Sequence, residues 1–242
     1  MTPFFMAWGM FCAIPCPVKK WDSDGYPGML LCLPLIGLMI GGIWAGAAWG
    51  LGTLRKMKLF SAALLAVLPS LLSGFIHLDG FMDVTDAVGS CRDLAKRREI
   101  LKDSHVGSFA VIGVVLLILC QFAFCVSFNQ KTDIRVLIVI PVVSRCGSAL
   151  AVALLPKMST SQYVRKRAKA ADIWIPCVFL AGALAFAFSL RFRCGMVLLV
   201  QAAGYGLALR KAYRSLEGMS GDISGYALTL SELSALGALA IL

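Results

Sequence analysis

The sequence is poor in charge. Only 15% of its 242 residues are Asp, Glu, Lys or Arg, whereas 59% are hydrophobic and the mean hydropathy is +0.82. A soluble domain averages roughly a quarter charged residues, and so much apolar surface cannot fit inside one water-soluble core. The shortage of charge therefore excludes an ordinary soluble domain and predicts an integral membrane protein.

The sequence also lacks the spacing of a zinc site or a disulfide framework. Its nine cysteines include no C-x-x-C pair, and most lie in apolar runs, where a free thiol acts as a small hydrophobe. His77 and His105 are the two histidines. No stretch interleaves basic and aromatic residues, so the net charge of +10 indicates Lys and Arg beside a membrane and no nucleic-acid partner.

Continuous apolar runs without period-two alternation predict helices and not a barrel. We expect an all-α, polytopic membrane bundle forming a single domain over residues 1–242. Its seven spans are predicted at 29–52, 59–76, 106–128, 134–155, 172–190, 195–209 and 223–242. Each approaches the ~20 residues that a crossing helix needs, except 195–209, which is short.

The N-terminal run, Met1 to Pro17, has no basic start and contains three prolines. It therefore does not resemble a cleavable signal peptide. Its apolar part is too short to cross a membrane, so we expect an interfacial or re-entrant segment.

The predicted spans divide the loops into two sets with different charge. One side carries fifteen basic residues, which are Lys19, Lys20, Arg92, Lys96, Arg97, Arg98, Lys102, Lys157, Arg165, Lys166, Arg167, Lys169, Arg210, Lys211 and Arg214. The other side carries seven, which are Arg55, Lys56, Lys58, Lys131, Arg135, Arg191 and Arg193. The positive-inside bias predicts that the first side is cytoplasmic. Eleven of the thirteen acids fall on that side too, the exceptions being Asp133 and Glu232. That concentration of acids needs a separate cause.

The densest acidic stretch lies between residues 74 and 93. If residues 78–93 are helical, Asp79, Asp83, Asp86 and Asp93 lie within about 80° of one another on one face. Carboxylates packed together repel, and a hard cation such as Mg²⁺ or Mn²⁺ would neutralise them. The alternative is a solvated acidic face at the membrane border.

Two further loops carry chemistry on the same side. Asp103 and His105 precede a predicted span, where His105 could orient a phosphate or accept a proton; it could equally be an interfacial histidine. Asp222 precedes the last span, where it either caps that helix or contributes to the acidic site.

Arg145 and Glu232 are the two charged residues predicted inside spans. Charges at that depth pair with one another or line a polar cavity. Arg145 could therefore bind a phosphate or form a structural pair with Glu232.

Two other features favour structural roles. The basic run from Tyr163 to Lys169 is typical of a topology signal at a lipid surface, with attraction of an anionic nucleotide as the alternative. Gly42, Gly46 and Gly50 recur every four residues and predict a helix face that packs closely on a neighbour.

Several of these motifs together resemble one known family. They are His77-Leu-Asp-Gly-Phe-Met-Asp-Val-Thr-Asp86, Ile100-Leu-Lys-Asp-Ser-His-Val-Gly107, Ser220-Gly-Asp-Ile-Ser-Gly225, Leu230-Ser-Glu-Leu233, Pro34–Gly41 and Ser144-Arg145. In this order they are similar to the motifs of the cobalamin synthase family, the adenosylcobinamide-GDP ribazoletransferases. The resemblance covers nearly the whole chain.

The resemblance implies a single transmembrane catalytic domain that depends on Mg²⁺. Such an enzyme joins adenosylcobinamide-GDP to α-ribazole or its 5′-phosphate, releasing GMP and forming adenosylcobalamin or its phosphate in vitamin B12 biosynthesis. The family context implies the cytoplasmic (inner) membrane of a bacterium or archaeon, contact with membrane lipid, and a site facing the cytoplasm; association into homo-oligomers stays open.

The resemblance also implies roles for individual residues. The implied metal ligands are Asp79, Asp83, Asp86 and Asp222. Asp222, Asp86, His105 and Arg145 are the implied catalytic residues, with Asp222 as metal ligand or as base for the attacking ribose hydroxyl and Arg145 stabilising charge on the transferred phosphate. The implied substrate-binding residues are His77, Asp103, Ser104, Arg145 and Ser220. His105 stands where the family commonly has Arg.

Other classes make different demands. A CDP-alcohol phosphatidyltransferase also uses Asp-rich helices and metal, but it places a Gly-Ala-Arg element between its Asp pairs that this stretch lacks. A cation transporter or channel would favour carboxylates near span centres, where only Glu232 is predicted. A purely structural scaffold would not need the acidic stretch.

Overall fold

The computed structural model describes residues 2–18, 21–22, 25–52, 57–129, 132–158 and 169–242. Its helices, in chain order, are α1 (Thr2–Phe11), α2 (Tyr26–Leu31), α3 (Leu33–Gly52), α4 (Lys58–Leu72), α5 (Ile76–Gly89), α6 (Leu94–Ile100), α7 (Ser108–Val126), a 3₁₀ helix (Ile134–Ile138), α8 (Ile140–Leu154), α9 (Ala171–Leu190), α10 (Phe192–Leu216) and α11 (Gly221–Ile241). Within these ranges no strand forms, and one β-bridge joins Lys157 to Met219. The predicted all-α class is confirmed.

Within the described ranges, six continuous segments are long and apolar enough to cross a membrane: Tyr26–Gly52, Ser108–Val126, Ile134–Leu154, Ala171–Leu190, Phe192–Leu216 and Gly221–Ile241. The pair α4 and α5 is bent by 92° and is either a seventh, broken span or a re-entrant loop. The chain is therefore a polytopic helical bundle, as predicted.

Two predicted spans differ from the helices that form. The short run 195–209 is the middle of α10, which has 25 residues. Basic residues near both ends of α10 made the predicted span too short. Such residues can belong to a membrane-spanning helix, because their long side chains extend from the helix end toward water. The span predicted at 59–76 ends instead at Leu72. Gly74 and Phe75 both take positive φ angles, of 63° and 61°, and break the helix before α5 begins.

The N-terminal helix α1 has 10 residues, or about 15 Å at the usual rise per residue, which is half the thickness of a bilayer core. It buries Met6 and Ala7, and the Ala13 N–H after it donates to the Leu72 carbonyl at 2.7 Å. This agrees with a segment that does not cross.

The connections gather at two ends of the bundle. At one end the Arg98 guanidinium donates to the Leu216 and Glu217 carbonyls at 3.0 and 2.8 Å, which ties α6 to the end of α10. At the opposite end Arg135 holds Asp133 at 2.6 and 2.8 Å. The first end is the one for which the sequence predicts the excess of basic residues. Part of that count lies outside the described residues, namely Lys19, Lys20, Arg55, Lys56, Lys131 and residues 163–168 of the basic run.

The packing of α3 involves other glycines than predicted. A β-carbon at Gly37 would lie 2.5 Å from the Pro141 carbonyl oxygen, and one at Gly41 would overlap the Ile138 carbonyl. These two glycines let α3 approach the 3₁₀ helix and α8. The prediction for Gly42, Gly46 and Gly50 was wrong among the described residues, because apart from the backbone of α3 itself none of their atoms lies within 4 Å of a β-carbon at these positions.

Candidate active site

Helix α5 places three carboxylates on one face, and α11 adds a fourth. Asp79, Asp83 and Asp86 follow the helical repeat within α5. Asp222 lies in the first turn of α11, and a β-carbon at Gly80 would lie 2.8 Å from the Asp222 Cα. The two backbones are therefore in contact. We refer to these four acids as the acidic recess.

The four carboxylates act on one another electrostatically. Asp83 is half-buried and lies in the field of Asp79, Asp222 and Asp86. Asp79 also acts on Asp222. Among the described residues, no group of three or more His, Cys, Asp or Glu side chains is placed so that it could hold a metal ion by itself. The recess therefore gathers negative charge without presenting a complete protein ligand shell.

Asp86 has a second contact, at the start of α7. The Ala110 N–H donates to its Oδ1 at 3.4 Å, and its carboxylate lies so close to Gly107 that a β-carbon there would overlap it. An anion is favoured at this position by the unpaired N–H groups of a helix N-terminus. Asp86 thus connects α5 to α7 at the edge of the recess.

The prediction that Asp93 shares this face was wrong. Helix α5 ends at Gly89, and Cys91 takes a positive φ of 52°, so the helical repeat is interrupted before Asp93. The Asp93 side chain instead accepts the Lys96 N–H at 3.0 Å and caps α6. Asp93 is a structural cap.

Ser220, not Asp222, caps α11. The Ser220 Oγ accepts the Ile223 N–H at 3.3 Å and lies 3.3 Å from the Asp222 Oδ2. Because Ser220 satisfies the helix end, the Asp222 carboxylate stays available to the recess.

Asp103, Ser104 and His105 are exposed in the turn before α7. The Asp103 Oδ1 accepts the His105 backbone N–H at 3.0 Å and lies 2.7 Å from His105 Nδ1. Both hydrogen bonds lower the pKa of the Asp103 carboxyl below its ordinary value, and the bond from the His105 backbone N–H has the larger effect. The described contacts do not join these residues to the acidic recess.

Arg145 pairs with Glu232 inside the bundle. Arg145 Nη1 lies 2.9 Å from Glu232 Oε1, with the two side chains 1% and 9% exposed. The Ser144 hydroxyl donates to the same carboxylate oxygen at 2.7 Å. Of the two alternatives for Arg145, the structure contains the ion pair with Glu232.

His77 lies near this pair, on the same helix as the acids. Its backbone carbonyl accepts the Thr229 hydroxyl at 3.3 Å, and its ring stacks on Phe11 with centroids 5.9 Å apart. A β-carbon at Gly225 would lie 3.0 Å from the His77 carbonyl oxygen. Gly80 and Gly225, which bring α5 and α11 together, were not predicted; glycine inside an otherwise helical motif was the available signal.

Comparison with known proteins gives a consistent result. Residues 3–240 match the family described as cobalamin-5-phosphate synthase. A Clostridium perfringens protein named adenosylcobinamide-GDP ribazoletransferase is 36% identical over 243 residues, which cover 98% of this chain and 96% of that protein. Relatives of the same name from Clostridium botulinum and Lachnoclostridium phytofermentans are 33% and 31% identical, covering 94% and 97% of this chain and 92% of each relative. No solved structure matches the chain at a significant level.

Proposed function

Because the chain belongs to the cobalamin-5-phosphate synthase family, which is a family of enzymes, we propose that it joins adenosylcobinamide-GDP to α-ribazole or its 5′-phosphate. GMP leaves, and adenosylcobalamin or its phosphate forms. The observation that supports this most strongly is the convergence of Asp79, Asp83 and Asp86 with Asp222 across the contact of α5 and α11. A pyrophosphate substrate needs positive charge at such a place.

The recess suits Mg²⁺. Its donors are all carboxylate oxygens, the ligand type that Mg²⁺ prefers, and a bound cation would offset the like charges that act on Asp83. Mg²⁺ usually keeps several waters and binds one or two carboxylates together with substrate phosphates. Because no three such side chains among the described residues are placed to hold a metal ion by themselves, substrate phosphate and water would have to complete the ligand set. Asp79, Asp83, Asp86 and Asp222 would hold the ion, which would neutralise charge on the pyrophosphate.

The chain's own residues would then position the reactants. An oxygen–phosphorus bond forms between the ribazole ribose hydroxyl and the phosphorus attached to cobinamide, and the bond from that phosphorus to the GMP oxygen breaks. Because Ser220 caps α11, the Asp222 carboxylate would be available to take the hydroxyl proton or to serve as a metal ligand. Asp86 would be a second catalytic carboxylate. Displacement of this kind depends on positioning and electrostatics.

The remaining predicted roles are assigned by location. Asp103, Ser104 and His105 are exposed and would contact the nucleotide from outside the recess. Arg145 is paired with Glu232, so it would stabilise charge on the transferred phosphate from its place inside the bundle. His77 would contact the substrate there. The excess of basic residues in the loops at the same end of the bundle supports a site that faces the cytoplasm of a bacterial or archaeal cell.

A single assay tests the proposal. Membranes containing the protein, given adenosylcobinamide-GDP, α-ribazole and Mg²⁺, should release GMP in proportion to the protein present. Chelation by EDTA should stop the release, and added Mg²⁺ should restore it. Absence of GMP from folded protein with metal would reject the transferase activity, whereas release that survives EDTA would reject the metal dependence alone.

A further inference from the structure

A second polar group lies beneath the acidic recess and differs from it in charge. It consists of His77 on α5, Arg145 on α8, and Glu232 on α11. The Arg145–Glu232 ion pair cancels its own charge, so this group is close to neutral while the recess carries four carboxylates. We call the three residues the neutral floor.

Two atoms of the neutral floor have no partner. Among the described residues, neither His77 Nε2 nor Arg145 Nε has a hydrogen-bond partner, and both atoms are buried; Arg145 is 1% exposed. The two side chains are near enough for the Arg145 charge to act on the imidazole. Because buried polar atoms are nearly always paired, two neighbouring unpaired nitrogens indicate a place for a ligand.

Flat apolar surfaces border the floor. The Phe11 ring is stacked on the His77 imidazole, with 8° between the planes. One turn further along α5, Phe81 stacks on Tyr226 of α11, with ring centroids 5.6 Å apart and 10° between the planes. Stacked rings of this kind suit a planar aromatic group.

We propose that the neutral floor binds the aromatic base of the nucleoside acceptor, with an N–H of His77 donating to the unsubstituted ring nitrogen of that base. This inference rests on the proposed function, in which one reactant is an anionic pyrophosphate and the other carries a neutral aromatic base. The acidic recess with its cation suits the first reactant, and the uncharged, ring-lined floor suits the second. The base stacks on the imidazole in place of the Phe11 ring, which belongs to the last residue of α1.

The test measures discrimination between two probes that differ in one ring atom. The probes are α-ribazole and its indole analogue, in which the free ring nitrogen is replaced by C–H. The full-length protein in detergent should bind α-ribazole about 10-fold more tightly than the analogue, which is the value of one buried hydrogen bond. In His77→Ala this ratio should fall to about 1.

The control is Ser61→Ala, which removes another buried hydroxyl that has no hydrogen bond among the described residues and lies near the start of α4, beside Asn129 and Thr132 at the opposite end of the bundle; its ratio should stay at the wild-type value. His77→Phe keeps a ring for the stack and removes the donor, and it replaces His77→Ala if that variant does not fold. An unchanged ratio in either folded His77 variant overturns the inference, as does a wild-type protein that binds both probes equally. If GMP release is intact in that case, only the inference fails; if GMP release is absent, the proposed function fails as well.

Discussion

At the scale of single residues, some acids converge in the acidic recess, whereas others already serve as a helix cap or as the partner in an ion pair. The helical repeat predicts that Asp79, Asp83 and Asp86 share a face, and the structure has them on α5, because this relation is set within one helix. Asp93 could not be placed in the same way, since the helix break at Gly89 depends on the surrounding chain. The choice of Glu232 as partner of Arg145, 87 residues away, also depends on tertiary packing and stayed open in the sequence.

The central carboxylate of the recess should be the most sensitive to neutralisation. We expect Asp83→Asn to lower the rate of GMP release by about 10²-fold or more, the usual loss when one transition-state contact is removed. Asp93→Asn is the matched control, because Asp93 caps α6 and should leave the rate within a few-fold of wild type. Equal effects of the two substitutions would place the reaction elsewhere.

The buried ion pair should show strong coupling in stability. Arg145→Met or Glu232→Leu alone leaves one buried charge unpaired and should destabilise the protein by roughly 3–5 kcal/mol. The double variant should regain most of that loss, since both charges are gone. Thermal unfolding in detergent measures the coupling; additive losses would mean that the two charges do not interact.

At the scale of helices, the site depends on glycines that let neighbouring helices pack closely. Glycine spacing in α3 predicts a packed face but not which one, because Gly37 and Gly41 share the four-residue interval with Gly42 and Gly46. Only the placement of α8 against α3 separates the two faces. The apolar runs, in contrast, predict most helix bounds closely, since the apolar length needed to cross a bilayer is a local property of the sequence.

Substitution of Gly80 tests the contact between α5 and α11. A β-carbon there meets the Asp222 backbone, which cannot move aside, so Gly80→Ala should separate the helices and reduce both activity and melting temperature. Gly46→Ala is the control: its site is open, and Ala favours helix by up to ~1 kcal/mol. A Gly80→Ala protein as active and stable as Gly46→Ala would show that the contact is dispensable.

At the scale of the whole molecule, the bundle has two chemically distinct ends. The four acids of the acidic recess lie at one end, and the Asp133–Arg135 ion pair lies at the other. The loop charges predict which end faces the cytoplasm, because the positive-inside bias acts on whole loops and not on individual contacts.

Thiol labelling checks this orientation. In a variant with the other cysteines replaced, Cys91, which is exposed near the recess, should resist an impermeant maleimide in intact cells. A cysteine at the exposed Ser127 position, after α7, should react. The reverse pattern would invert the topology, and labelling of both would contradict an odd number of crossings between them.

The contact of α5 with α11 joins segments far apart along the chain, as shown by His77 and Thr229, which are 152 residues apart. A ribosome therefore delivers the two halves of the recess at different times. The carboxylates of α5 enter the membrane with the early helices, and Asp222 meets them only after the intervening helices have inserted. A chain halted before α11 holds no complete site, so the appearance of activity also marks the completion of assembly.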